Sequence, residues 1–281
     1  MTPLSLPADW PHRDRSRRIA SKPHLWHVQD IGAGPLLLLL HGAGGATHSW
    51  RNLIPLLAGY RVVALDLPGQ GYTRMGSRRR CSVDAMAHDI AALCAQQGWH
   101  PHAVIGHSAG GALALRLAEV MPVGRVVGIN AALGTFDGAA GWLFPLMARV
   151  LAATPMVPQV FSRLSGTPER VAALLASTGS QIEPAGQAQY LRLLRMSSHV
   201  DATLLMMAQW GLEGLIARLP EIAARVLLIT GARDATVPQA VSERAAGRIP
   251  GAVWVNLPGL GHLAQEEDAL AVAEVVLPFL A

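Results

Sequence analysis

Two cysteines in 281 residues cannot build a disulfide framework, and Cys81 and Cys94 read as reduced thiols of a cytoplasmic protein. Charge is scarce as well. Asp, Glu, Lys and Arg make up 15% of the chain against 51% hydrophobic residues, a balance that excludes a disordered chain. No long apolar run is present either: Leu36 to Leu40 falls far short of the roughly 20 residues a bilayer span needs. Arg13, Arg15, Arg17 and Arg18 have no apolar segment behind them, so the start of the sequence does not read as a secretory signal. Stacking aromatics are not interleaved with these arginines or with Arg78-Arg79-Arg80, and no nucleic-acid partner is expected. No internal repeat, low-complexity tract or helical H-x-x-x-H ligand pair occurs, and neither a metal site nor a cofactor is expected.

What is present is an alternation. Apolar strand patterns at 25–30, 36–40, 61–66, 102–106, 125–130, 225–230 and 252–257 are separated by helix patterns at 49–58, 82–98, 108–120, 238–247 and 264–280. That order predicts an α/β fold with a mostly parallel central sheet and helices on both faces. From 134 to 220 the alternation stops and the chain becomes helical and apolar, punctuated by proline. This segment reads as a helical cap inserted after the sixth strand of the fold. The domain expectation is an extended basic arm over 1–24, a core over 25–133 and 221–281, and the cap over 134–220.

Gly106-His107-Ser108-Ala109-Gly110 lies between the strand at 102–106 and the following helix. A G-x-S-x-G turn between strand and helix is a nucleophile elbow, which lifts the serine hydroxyl above the sheet and needs small neighbours two residues away on either side. Asp234 follows the strand at 225–230, and His262 follows the strand at 252–257. Ser108, Asp234 and His262 thus stand in the order Ser…Asp…His, with His262 the expected base and Asp234 its orienting carboxylate. Taken singly, Asp234 also suits a helix cap and His262 a surface loop. After the apolar run Val126-Val127-Gly128-Ile129 stands Asn130, whose amide is a poor charge partner for an imidazolium, so Asp234 is the preferred acid.

Acyl transfer also needs donors for an oxyanion. The backbone N–H of Ala109 is one candidate; the N–H of Ala43, in the loop His41-Gly42-Ala43-Gly44-Gly45, is the other. A dinucleotide-binding reading of this loop fails because Thr47 stands where a third glycine belongs and no Gly-Lys-Ser/Thr follows. His41 is expected to be structural. Asp66, in Asp66-Leu67-Pro68-Gly69-Gln70-Gly71, is expected to fix its loop. Gly42, His107, Trp142, Met206 and Met207 are the expected substrate contacts, the cap supplying a methionine-and-aromatic wall for a bulky hydrophobic small molecule. Peripheral membrane docking through that face stays open. The net charge of +4 suits solvated arginine loops or attraction to an acidic partner.

The elbow, the His-Gly loop and the triad order resemble the α/β-hydrolase superfamily over nearly the whole chain. Asp9-Trp10-Pro11-His12-Arg13-Asp14-Arg15-Ser16-Arg17, His24-Leu25-Trp26-His27-Val28-Gln29-Asp30 and residues 34–51 resemble the magnesium-chelatase accessory (BchO) family of bacteriochlorophyll biosynthesis. That resemblance implies a role beside magnesium insertion into protoporphyrin IX in a photosynthetic bacterium, with chelatase subunits as partners and a porphyrin as ligand. Three functions follow as expectations: a serine hydrolase cleaving an ester-type bond, a non-enzymatic porphyrin-binding or chelatase partner, and a generic carboxylesterase or cofactor-free haloperoxidase.

Overall fold

The computed structural model describes residues 6–134, 158–159, 162 and 166–281. Among the described residues eight strands form one sheet: β1 (Ser16–Ser21), β2 (His24–Gly32), β3 (Leu36–Leu40), β4 (Arg61–Leu65), β5 (Ala103–His107), β6 (Arg125–Ile129), β7 (Arg225–Gly231) and β8 (Val253–Leu257). Their order is β1-β2-β4-β3-β5-β6-β7-β8. Only β2 runs against its neighbours; from β4 through β3 to β8 every pairing is parallel.

The apolar runs of the central strands follow from burial on both faces. Successive side chains point to opposite sides of a strand. Leu36, Leu38, Leu40, Val104, Val126 and Leu228 therefore pack into one core with α1 (Val83–Gln97) and α2 (Ala109–Val120). Leu37, Leu39, Ile105, Val127 and Ile229 pack into the other with Trp50, Leu53 and the C-terminal helix. The helix α1 starts where Ser82 accepts the N–H of Ala85 and stops at Gly98, whose φ of 64° suits glycine.

Between β6 and β7 the described chain is helical: α3 (Pro168–Ser177), α4 (Pro184–Leu194), α5 (Ser197–Ala208) and the short α6 (Glu213–Ala217). After β7 come α7 (Gln239–Ala246), α8 (Ala264–Glu267) and α9 (Ala269–Leu280). The insertion is tied to the core by charge. Arg51 bonds both Glu183 beside α4 and Glu266 on α8, Tyr190 donates to Glu266 at 2.7 Å, and Arg78 pairs with Asp201 on α5.

Three local expectations change. Ser16–Ser21, within the segment read as an arm, is hydrogen-bonded along its length to β2 as an edge strand. The helix expected at 49–58 is two 3₁₀ turns, Thr47–Trp50 and Ile54–Leu56, because Pro55 has no N–H to continue an α-helix. The helix expected at 264–280 breaks at Asp268, whose carboxylate caps α9 by accepting the N–H of Ala271 at 2.9 Å.

Candidate active site

The turn at Ser108 is tight and strained. Ser108 has φ 52° and ψ −116°, a region L-residues rarely occupy. A Cβ on Gly106 would lie 2.0 Å from the Gly110 carbonyl oxygen, and one on Gly110 would lie 2.1 Å from that of Leu40. Only glycine fits either position. The Ser108 carbonyl accepts the N–H groups of Gly111 and Ala132, and its own N–H donates to the Ile129 carbonyl, so both backbone polar groups of Ser108 are held.

Asp234 lies three residues beyond β7, and its carboxylate is fully engaged. Oδ1 accepts the N–H groups of Thr236 and Val237 at 2.7 and 2.8 Å, while Oδ2 faces Nδ1 of His262 at 2.8 Å. It does not cap α7, which begins after Pro238. With Nδ1–H directed to the carboxylate, Nε2 of His262 keeps its lone pair for proton transfer. The His262 main chain is gripped from two sides: its carbonyl oxygen accepts from Nε2 of His107 and from Nδ2 of Asn130, each at 2.8 Å. The rings of His107 and His262 are 4.9 Å apart between centroids. Burial and the neighbouring His262 hold the His107 pKa well below the ordinary histidine value, so it is neutral.

Asn130 is the residue that sequence reasoning underrated. Set aside as a poor acid, it is a bracket between loops: Oδ1 accepts the Gly231 N–H at 2.8 Å, and Nδ2 donates to the carbonyls of Gly261 and His262. Its φ of 46° turns the chain at the end of β6, a conformation asparagine tolerates better than most residues. Its position at a strand's carboxyl end was the available signal.

The loop after β3 is held just as firmly. Nδ1–H of His41 donates to the Gly42 carbonyl at 2.7 Å, while Nε2 accepts the Leu67 N–H at 2.9 Å. Gly42 abuts the elbow, since a Cβ there would lie 2.8 Å from Nδ1 of His107 and 3.0 Å from Cβ of Ser108. Ala43 is exposed at the loop tip. Among the described residues, neither the Ala43 N–H nor the Ala109 N–H has an acceptor. Asp66 is fully buried and accepts from His27 and from the N–H groups of Thr47 and Tyr72, so it organises its loop.

Of the expected cap contacts, Met206 is 1% exposed, and its sulfur accepts from the Gln70 amide at 3.1 Å; Met207 is half-buried. Trp142 lies outside the described residues. Both cysteines are free, and burial pushes the Cys81 and Cys94 thiols up to about 11 and about 12. Among the described residues, no group of three His, Cys, Asp or Glu side chains is arranged to hold a metal ion, and no helix is long and apolar enough to cross a membrane.

A parallel sheet with a serine at a strained strand–helix turn, and a carboxylate–imidazole pair at the ends of later strands, defines a protein of the α/β-hydrolase class. The chain belongs to the α/β-hydrolase fold family, whose model matches residues 35–269. It is 48% identical over 283 residues to the magnesium-chelatase 30 kDa subunit of Rhodobacter capsulatus, covering 100% of this chain and 99% of that one. It is 32% identical to the pimeloyl-[acyl-carrier protein] methyl ester esterase of Xanthomonas campestris, over 91% of this chain and 98% of that protein. An α/β-hydrolase fold protein from Burkholderia ambifaria superposes with a TM-score of 0.78 at 23% identity, covering 94% of this chain and 98% of that one, a likeness of fold.

Proposed function

We propose that the protein is a serine hydrolase that cleaves an ester-type bond in a hydrophobic substrate, in the cytoplasm, beside magnesium insertion in bacteriochlorophyll biosynthesis. The observation that carries the chemistry is the 2.8 Å contact between Nδ1 of His262 and Oδ2 of Asp234, made where His107, the neighbour of Ser108, grips the His262 carbonyl. The pathway assignment rests on the full-length likeness to a chelatase subunit.

In this mechanism Nε2 of His262 takes the Ser108 proton as Oγ attacks the substrate carbonyl carbon. The carbonyl electron pair moves onto oxygen, and that oxyanion accepts from the N–H groups of Ala43 and Ala109. Ala109 is the first residue of α2, so the positive end of the helix dipole adds to the stabilisation. The imidazolium, held by Asp234, then protonates the departing alkoxide as the carbon–oxygen bond breaks. Water, deprotonated by His262, releases the acyl group and restores the Ser108 hydroxyl. A fluorophosphonate probe should label the wild type at Ser108 and leave Ser108→Ala unlabelled. A folded wild type that takes no label overturns this reading.

A second reading is favoured by the name of the 48% identical relative, which is that of a chelatase subunit. In it the fold is kept as a porphyrin-binding or chelatase-associated protein, and the hydroxyl of Ser108 is dispensable. Restoring Ser108→Ala to a deletion strain separates the two: full pigment synthesis favours association, and none favours catalysis. Turnover of small esters without a pigment defect on deletion would point instead to a generic esterase.

A further inference from the structure

One stripe of the inserted helix α5 sits on the loops beside the elbow. His199, Ala202, Thr203 and Met206 occupy positions i, i+3, i+4 and i+7, one face of a helix. Each meets one of two loops, 41–45 or 66–73. His199 bonds Gly44 and Gly71, Ala202 would crowd a Cβ on Gly69 at 2.6 Å, Thr203 lies 3.8 Å from where a Cβ on Gly44 would be, and Met206 receives the Gln70 amide.

The His199 bonds define its protonation. Nδ1 accepts the Gly71 N–H at 2.9 Å, so the ring proton is on Nε2 and is donated to the Gly44 carbonyl at 3.1 Å. Burial, reinforced by the nearby His41, pushes its pKa down to about 4, and the neutral tautomer persists through the physiological range. At 1% exposure the ring has no access to solvent as an alternative partner.

These bonds bear on the Ala43 N–H through three consecutive peptide planes. The first carries the Gly42 carbonyl and the Ala43 N–H on opposite sides, because a trans peptide directs them apart. Its carbonyl is held by His41 at 2.7 Å and by the Gly45 N–H at 3.0 Å. In the second plane, the Gly44 N–H donates to Oε1 of Gln70 at 2.8 Å. The third has its Gly44 carbonyl held by His199. Gly44 itself, at φ 78°, is the flexible point between the last two planes. The donor at Ala43 is thus clamped from one end by His41 within the core and from the other by Gln70 and the inserted helix.

We propose that His199 is a positioning residue for the oxyanion loop, and that seating of α5 through His199 sets the direction of the Ala43 N–H. The catalytic part of this proposal rests on the hydrolase reading above; the structural part does not. It makes the helical insertion part of the catalytic apparatus, so that disturbing α5 alters the turnover rate and not only substrate capture.

Three variants test it. His199→Leu removes both bonds; His199→Gln restores an N–H donor near the Nε2 position for the Gly44 carbonyl; His199→Asn restores only an acceptor for the Gly71 N–H. With a short p-nitrophenyl ester, the Leu and Asn variants should lose about 10- to 100-fold in kcat with KM nearly unchanged, and the Gln variant should recover most of the loss. Backbone amide exchange over residues 41–46 should quicken in the Leu and Asn variants and stay slow in the Gln variant. Equal kcat loss in Gln and Asn variants, or an effect confined to KM, overturns the catalytic role. Unchanged amide exchange overturns the clamp itself. Should the Leu variant not fold, the Gln and Asn pair carries the comparison. Should wild type neither turn over ester nor take a fluorophosphonate, the hydrolase reading falls, and amide exchange still decides whether His199 holds the loop.

Discussion

His107 donates its Nε2–H to the carbonyl oxygen of His262 at 2.8 Å, across 155 residues of sequence, and the next residue after His107 is Ser108. The residue that leads into the elbow therefore carries the backbone of the imidazole residue. Asn130 supplies a second donor to the same oxygen and ties the end of β7 to it. The position of the imidazole is thus referred to three strand ends, β5, β6 and β7, while its ring orientation is referred to Asp234.

Asn130→Asp separates bracket from bulk. The carboxylate keeps its acceptor for the Gly231 N–H but has no hydrogen to give the carbonyls of Gly261 and His262, and it sets a negative charge against both. Leaving buried polar groups unpaired costs about 1–3 kcal/mol each. Urea denaturation should show a loss of that order, and ester kinetics should show kcat falling about tenfold or more with KM little changed. A variant as stable and as active as wild type would remove Asn130 from the site.

Ser108 stores backbone strain that glycine would release. At φ 52° and ψ −116° a side chain is disfavoured by about 1–3 kcal/mol. Ser108→Gly regains part of this, offset by about 0.4–1 kcal/mol from the greater freedom of glycine in the unfolded chain. Both Ser108→Gly and Ser108→Ala should be inactive, with the glycine variant the more stable by thermal melting. A glycine variant that melts below the alanine variant by that full entropic cost would mean that the turn is not strained.

The same turn sets a steric limit two residues either side. Gly106→Ala and Gly110→Ala drive a methyl group to about 2 Å from a carbonyl oxygen, where the obstacle is backbone and cannot swing aside. Overpacking of this kind costs about 1–3 kcal/mol, occasionally more. Each variant should unfold at lower urea concentration and label with fluorophosphonate more slowly per folded molecule. Gly98→Ala, in the left-handed cap of α1 with open space around it, should lose stability without slowing the labelling.

What could be read from the residues was what local chain chemistry dictates. Leu36–Leu40 and Arg225–Gly231 announce themselves as strands because two cores bury both faces. Gly106 and Gly110 mark the elbow because the turn leaves no room for a Cβ. β1 was hidden because an edge strand exposes Arg17 and Ala20, half-buries Ser16 and Arg18, and buries only Ile19 and Ser21. Pro55, with no N–H to give, breaks 49–58 into two 3₁₀ turns despite its helical periodicity. The partners of the brackets were out of reach for another reason. Asn130 reaches partners 101 to 132 residues away, and His199 partners 128 and 155 away, and such bonds leave no periodic trace in the sequence.

Asp66 makes the fold depend on pH in a calculable direction. It is wholly buried, and burial pushes its carboxyl upward, yet the His27 ring, His41 and the Tyr72 N–H outweigh that and bring it down to about 2 from 3.8. Its Oδ2 lies 2.6 Å from Nδ1 of His27, and Gly71 must be glycine because a Cβ there would sit 2.2 Å from the same oxygen. An acid with a depressed folded-state pKa is protonated first in the unfolded chain. Its contribution to stability is therefore complete above about pH 4 and is lost as the pH falls towards about 2, amounting to about 2 kcal/mol. Asp66→Asn removes the charge while keeping the shape. Urea unfolding near neutral pH should find the variant less stable by about 2–4 kcal/mol, with the gap to wild type narrowing as pH drops from about 4 towards 2. A gap that stays constant across that window would show that packing of the 66–73 loop, and not the charge at its centre, holds the floor on which Gly44 and helix α5 are seated.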